Sequence, residues 1–190
     1  MGINNDARAT SSMIDLALFA GHSKGDGPGV RAVLWVRGCE RHCPGCGNRN
    51  FWRTSKNHMP VEMVAVKIFA QGAIEGITLC GGEPFLQATS LARLADLCHI
   101  QGLSVVTFTG FTLSELGTVP NADELLKQTD LLIDGPYKQE FPETRRHWVG
   151  SQNQIFHFLT GRYVSGVEYP HKGEKIIGPQ NNLRGLFERI

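Results

Sequence analysis

The run Gly38-Cys39-Glu40-Arg41-His42-Cys43-Pro44-Gly45-Cys46 constrains this chain more than any other stretch. Its C-x3-C-x2-C spacing puts three thiols on a short segment punctuated by glycine and proline, so it reads as a loop and not as a packed face. A structural zinc site or an ordinary ferredoxin cluster takes four ligands. Three leave one coordination position open for something that binds and reacts. Two metal centres fit the residues: zinc, with His42 or a distant histidine as fourth ligand, or a [4Fe-4S] cluster with one free iron. The loop follows directly on Val30-Arg31-Ala32-Val33-Leu34-Trp35-Val36, a β-branched and aromatic run that reads as a strand.

Further strands alternate with helices. Val61, Val64, Ala65, Ile68 and Phe69 recur at helical spacing after Pro60, a residue suited to a helix start. A strand over Gly76–Cys80 runs into Gly81-Gly82-Glu83-Pro84. A second amphipathic helix carries Leu91, Leu94, Ala95 and Cys98, with Thr89 or Ser90 as its cap and Gly102 as its stop. Then come a strand over Leu103–Phe108, short helices around Leu113–Leu116 and Asp123–Gln128, a strand over Leu131–Ile133 and a last one over Ile155–Leu159. This order predicts an α/β fold with a mainly parallel sheet and function at the carboxyl ends of its strands. At 190 residues the chain is too short for an eight-unit barrel of about 250; an open or partial (βα) barrel fits.

A composition of 41% hydrophobic and 19% charged residues is that of a folded domain. The net charge of +1 gives no global field toward nucleic acid or an anionic membrane. Apolar runs fall short of a bilayer span and the N-terminus lacks a signal-peptide core, so a soluble, cytoplasmic protein is expected. Residues 1–13 read as a flexible leader, 14–160 as one domain, and 161–190 as a peripheral tail closing with Leu183, Leu186 and Phe187.

Three chemical segments fall just past strand ends: the cysteine loop, the Gly81-Gly82-Glu83 turn and Thr109-Gly110. Two glycines expose backbone carbonyls and Glu83 adds a charge, a combination that grips an ammonium group or simply turns a strand into a helix. Thr109 suits a ribose or carboxylate contact, or strand packing. Asp134, in Ile133-Asp134-Gly135-Pro136-Tyr137, suits a substrate-orienting or a turn-capping role. Arg145-Arg146-His147-Trp148 forms a basic–aromatic patch that reads as a partner contact or a solvated loop. Cys98 lies on the apolar stripe of its helix and reads as core; Cys80 stands beside the glycine turn, apart from the triad.

The three-cysteine loop after a strand, preceded by Asp26-Gly27-Pro28-Gly29, resembles the radical S-adenosylmethionine (SAM) superfamily and, within it, the glycyl-radical-enzyme activases. The string from Gly38 to Cys46 followed by Asn48 and Trp52 is most similar to the activating proteins of anaerobic ribonucleotide reductases, with Gly47 where many members carry an aromatic or a histidine. The resemblance implies that Cys39, Cys43 and Cys46 ligate a [4Fe-4S] cluster whose open iron chelates SAM. It implies that Gly81, Gly82 and Glu83 meet the amino group of SAM, with Thr109 and Asp134 as further cofactor contacts. An electron from a flavodoxin-type donor would then cleave SAM to methionine and a 5′-deoxyadenosyl radical, which takes hydrogen from a glycine Cα of a partner glycyl radical enzyme, anaerobic ribonucleotide reductase. The alternative is a small stand-alone radical SAM enzyme acting on a nucleotide, peptide or other metabolite.

Overall fold

Val105 and Leu132 face one side of a sheet while Val106, Leu131 and Ile133 face the other, as the two-residue period of a strand requires. The structure, a computed structural model, describes residues 12–170. Its strands are β1 (Met13–Ser23), β2 (Arg31–Val36), β3 (His58–Pro60), β4 (Gly76–Gly81), β5 (Ser104–Phe108), β6 (Leu131–Asp134) and β7 (Ile155–Phe158), joined in the order β3-β1-β2-β4-β5-β6-β7. The four central strands β2, β4, β5 and β6 run parallel. The outer strands pair antiparallel: β1 with β2 and β3, and β7 with β6. The fold is thus a mixed α/β sheet with a parallel centre.

Helices α1 (Val61–Phe69), α2 (Ala88–Ile100), α3 (Leu113–Leu116) and α4 (Ala122–Lys127) follow the expected periodicity. Val64, Ile68, Leu91, Leu94, Cys98 and Leu125 pack on Leu34, Leu79, Val105 and Leu132 in one core. Each fully buried leucine there stabilises the fold by roughly 1.5–3 kcal/mol relative to exposure. Gly102 ends α2 with a φ of 78°, a left-handed conformation suited to a helix stop. The expected cap at Thr89 or Ser90 is not used, because α2 already starts at Ala88. A 3-10 turn, Pro84–Gln87, feeds directly into it, and Glu83 caps that turn by accepting from the Phe85 N–H at 3.0 Å.

Two strands lie outside the sequence expectation. β1 contains Asp15, an unfavourable strand residue, which is buried because its carboxylate accepts from the Ser55 N–H and the Ser55 hydroxyl, both at 2.6 Å. β3 is only three residues long.

The opposite sheet face is closed by Trp148, Val149, Tyr163 and Val167, which pack on Val106, Phe108, Leu131, Ile133, Phe156 and Phe158. The segment from Gly161, expected to be peripheral, therefore contributes to this second core. The leader up to residue 11 and the closing Leu183, Leu186 and Phe187 lie outside the described residues.

At the amino ends of β2, β4 and β5 the fully buried Arg31 ties the floor of the sheet. Its Nε donates to Thr78 Oγ1 (2.9 Å). Its Nη1 donates to Pro28 O (3.1 Å), Ser104 Oγ (3.0 Å) and the Tyr163 hydroxyl (2.8 Å). Its Nη2 donates to Ile77 O (2.6 Å) and Ser104 O (3.0 Å). The Asp26-Gly27-Pro28-Gly29 turn belongs to this floor: a Cβ on Gly27 would press on the Arg31 side chain, and Gly27 has a φ of 140°.

Candidate active site

The cysteine loop leaves the carboxyl end of β2 and is pinned at its base by two backbone bonds, Gly38 N–H to Phe51 O (2.9 Å) and Cys39 N–H to Trp52 O (3.0 Å). Left-handed residues at Gly38, His42 and Gly45 curl it. All three thiols are free and partly exposed. Backbone N–H groups are directed at their sulfurs: that of Asn48 reaches Cys46 Sγ at 3.3 Å, and those of Arg41 and His42 serve Cys39. Burial nonetheless pushes the Cys39 thiol up. A soft all-sulfur donor set with N–H groups turned on the sulfurs suits an iron–sulfur cluster. Among the described residues no three His, Cys, Asp or Glu side chains are grouped to hold a metal ion as they stand, the three thiols included.

The Gly-Gly-Glu turn locks onto the base of this loop. Gly82 N–H donates to Val36 O and Glu83 N–H to Gly38 O, both at 2.7 Å. A Cβ on Gly82 would run into the Gly38 carbonyl, so the glycine is required by close backbone approach. The Asn48 side chain donates to Gly81 O at 3.2 Å, closing a second link between loop and turn.

Glu83 turns inward and is 1% exposed. Its Oε1 accepts from Phe85 N–H (3.0 Å) and the Thr109 hydroxyl (2.8 Å), and its Oε2 from Gly110 N–H (2.8 Å). The carboxylate thus brings Thr109 to the turn. Burial pushes Glu83 up to about 7, against the opposing pull of those donors and of Arg41. Because the folded value is raised, this group's contribution to stability is complete below pH ~4.5 and is lost as pH rises through about 7. At ~1.36 kcal/mol per unit the loss amounts to about 3 kcal/mol. Urea unfolding from pH 4 to pH 8 should show the wild type losing about that much relative to Glu83→Gln; parallel stability curves would refute the assignment.

Asp134, at the end of β6 and 2% exposed, accepts from Leu113 N–H at 2.6 Å. His157 Nε2 lies 3.0 Å from the same oxygen, but the approach is not aligned as a hydrogen bond, and Asp134 Oδ1, His157 Nε2 and Asn153 Oδ1 have no hydrogen-bond partner. Asp134 therefore anchors the start of α3, whose Thr112 and Glu115 form a reciprocal capping box.

Sequence reasoning missed the residue that ties α3 to the cysteine loop. Arg41 Nη1 donates to Glu115 Oε1 at 3.0 Å, and its guanidinium sits 5.2 Å from the centre of the Phe111 ring. The partners are 74 positions apart, and no local signal in the sequence marks them. The pair is partly solvated, with side-chain exposures of 25% and 43%, so it adds at most about 1 kcal/mol to global stability. Arg41→Ala should accordingly leave the unfolding midpoint nearly unchanged while hydrogen exchange across residues 39–46 speeds up several-fold; equal exchange in both proteins would count against the tether.

The remaining expectations sort by burial. Cys98 is fully buried in the helix-side core, its thiol pushed up to about 12 by burial. Burial, and then Asp26, push the Cys80 thiol well up as well. Within the Arg145–Trp148 patch, Arg145 is exposed while Trp148 and Arg146 are engaged by the fold. Trp148 is 8% exposed in the second core, and Arg146 pairs with Glu143 at 2.6 Å and donates to Gln152 O and Gln154 O.

Comparison with known proteins agrees with this geometry. The 4Fe-4S single cluster domain matches residues 25–157. An anaerobic ribonucleoside-triphosphate reductase-activating protein of Vibrio cholerae is 33% identical over 144 residues, which is 71% of this chain and 92% of that protein. The protein of the same name from Enterobacteria phage T4 is 33% identical over 68% of this chain and 84% of its own length. That of Escherichia coli K12 is 28% identical over 70% and 92%. No helix among the described residues is long and apolar enough to cross a membrane. With its three-cysteine loop inside the matched domain, the chain belongs to the family of anaerobic ribonucleoside-triphosphate reductase-activating proteins.

Proposed function

We propose that this protein activates an anaerobic ribonucleotide reductase by generating a glycyl radical on it. The observation that carries this reading is the set of three free thiols on one loop, locked to the Gly81-Gly82 turn, in a chain of this family. Cys39, Cys43 and Cys46 would hold the [4Fe-4S] cluster, which would supply the one electron for reductive cleavage of SAM to methionine and the 5′-deoxyadenosyl radical that takes hydrogen from a glycine Cα. The chain's own residues bind and orient. Gly81 and Gly82 offer backbone groups to the amino end of SAM, and Glu83 holds this turn against Thr109. Asp134 fixes the start of α3 beside them, and its unpartnered Oδ1 is an acceptor for a hydroxyl or N–H. In this reading the sheet curls as a partial (βα) barrel whose open side admits a polypeptide loop. The reaction takes place in the cytoplasm, and the electron comes from a flavodoxin-type carrier.

Protein reconstituted anaerobically with iron and sulfide, then given SAM and dithionite, tests the reading by assay of 5′-deoxyadenosine. Its formation should rise on addition of the reductase. Formation stimulated by a nucleotide or peptide with no large partner present would instead favour a stand-alone radical SAM enzyme.

A further inference from the structure

Residues 37–56 carry Arg37, Arg41, Arg49, Arg53 and Lys56 against a single acid, Glu40, a net +4 in a chain whose total is +1. Arg41 is paired with Glu115. Arg37, Arg49, Arg53 and Lys56 make no ion pair among the described residues. Arg49 and Arg53 join His42, Asn50 and Trp52 in lining an open groove of about 500 Å³. His42 stacks on Trp52 with ring centres 4.5 Å apart, and the Arg49 guanidinium lies 6.0 Å from the same ring.

The position of the groove matters as much as its charge. His42 sits between the ligands Cys39 and Cys43, so one wall of the groove is the cluster loop itself. The other wall, residues 49–53, belongs to the segment that returns from that loop to β3 at the sheet edge. Thr109 and Asp134 lie the other way, at the ends of β5 and β6. The loop thus has one side toward the proposed SAM contacts and another toward an unpaired cationic surface. A small ligand is normally enclosed over most of its surface, whereas this groove is open and its aromatic ring is already engaged by His42 and Arg49.

We propose that the groove bounded by His42, Arg49, Trp52 and Arg53 is the docking surface for an acidic one-electron carrier protein that reduces the cluster. The proposal rests on the function given above. In the step the carrier loses one electron and the cysteine-held cluster gains it; no bond forms or breaks and no proton moves. Opposite charge on the two faces steers their encounter, and that steering weakens as salt rises.

Stopped-flow bleaching of the cluster's visible absorbance tests this on the reconstituted full chain, with reduced flavodoxin as the acidic carrier and dithionite as a small reductant. Arg49→Glu combined with Arg53→Glu should slow reduction by flavodoxin about tenfold or more at low salt and leave reduction by dithionite unchanged. Arg53→Glu with Lys56→Glu keeps the Arg49–Trp52 contact and should act in the same direction. The wild-type flavodoxin rate should fall with salt and the variant rates should not. Wild-type rates in both variants would overturn the proposal. So would normal reduction by flavodoxin with failed radical transfer to the reductase, since the face would then belong to that partner. Failure of dithionite-reduced wild type to cleave SAM would count against the proposed function, and the flavodoxin rates would still decide the docking surface.

Discussion

Alanine at any one of Cys39, Cys43 or Cys46 should reduce SAM cleavage to background and strip the reconstituted protein of its cluster absorbance, whereas Cys98→Ala should keep both. Each thiol is one of only three on the loop. Cys80, the next candidate in sequence, lies within β4 and apart from the loop. Cys98 packs in the core with no exposed surface, so its replacement removes a small buried side chain at a stability cost of about 1 kcal/mol. Iron and sulfide analysis beside the deoxyadenosine assay separates loss of ligand from loss of fold. Full activity in any one of the triad variants would refute the ligand assignment.

The largest effect on folding should come from Arg31→Met. Methionine matches much of the volume but leaves the acceptors at Pro28, Ile77, Thr78, Ser104 and Tyr163 without their donor in a fully buried site. Among the described residues no carboxylate is paired with this guanidinium; Glu75 acts from one step away, accepting from the Tyr163 hydroxyl at 2.9 Å. Burial accordingly pulls the Arg31 pKa below its ordinary value. Each buried acceptor left without a donor costs about 1–3 kcal/mol, so the loss of several should take roughly 3–5 kcal/mol, a large share of the 5–15 kcal/mol typical of a domain. At ~3 °C per kcal/mol for a chain of this size, the melting temperature should fall by about 10 °C. Arg31→Lys keeps the charge but supplies fewer, differently placed donors, and should fall between the two. Urea unfolding of the apo chain measures both variants, and a loss below 1 kcal/mol for Arg31→Met would contradict the structural role.

Arg31 also shows where sequence reading ends. The triad, the Gly-Gly-Glu turn and the alternation of central strands and helices were legible because each is written in contiguous residues or in a short period. The floor of the sheet was not. In the sequence Arg31 looks like a charged interruption of a strand, and its partners Ser104 and Tyr163 lie 73 and 132 positions away. β1 was hidden by Asp15, which Ser55 and the neighbouring His58 make tolerable in a buried strand. The direction of Glu83 was hidden as well. A carboxylate in a glycine turn reads as open to a ligand, yet its oxygens hold Phe85, Thr109 and Gly110. In the basic–aromatic run at Arg145–Trp148 the residue types favour interfaces, and only the packing of Trp148 against Phe156, with ring centres 6.3 Å apart, reveals a core role for that one residue. In each case the missing information is a long-range partner, which local periodicity does not encode.

The most direct measurement is the EPR spectrum of the reductase after anaerobic mixing with the reconstituted protein, SAM and a reductant. The account predicts a glycyl-radical doublet on the reductase that is absent when the Cys43→Ala protein is used. Deoxyadenosine released from the wild-type protein with no doublet on the reductase would contradict it.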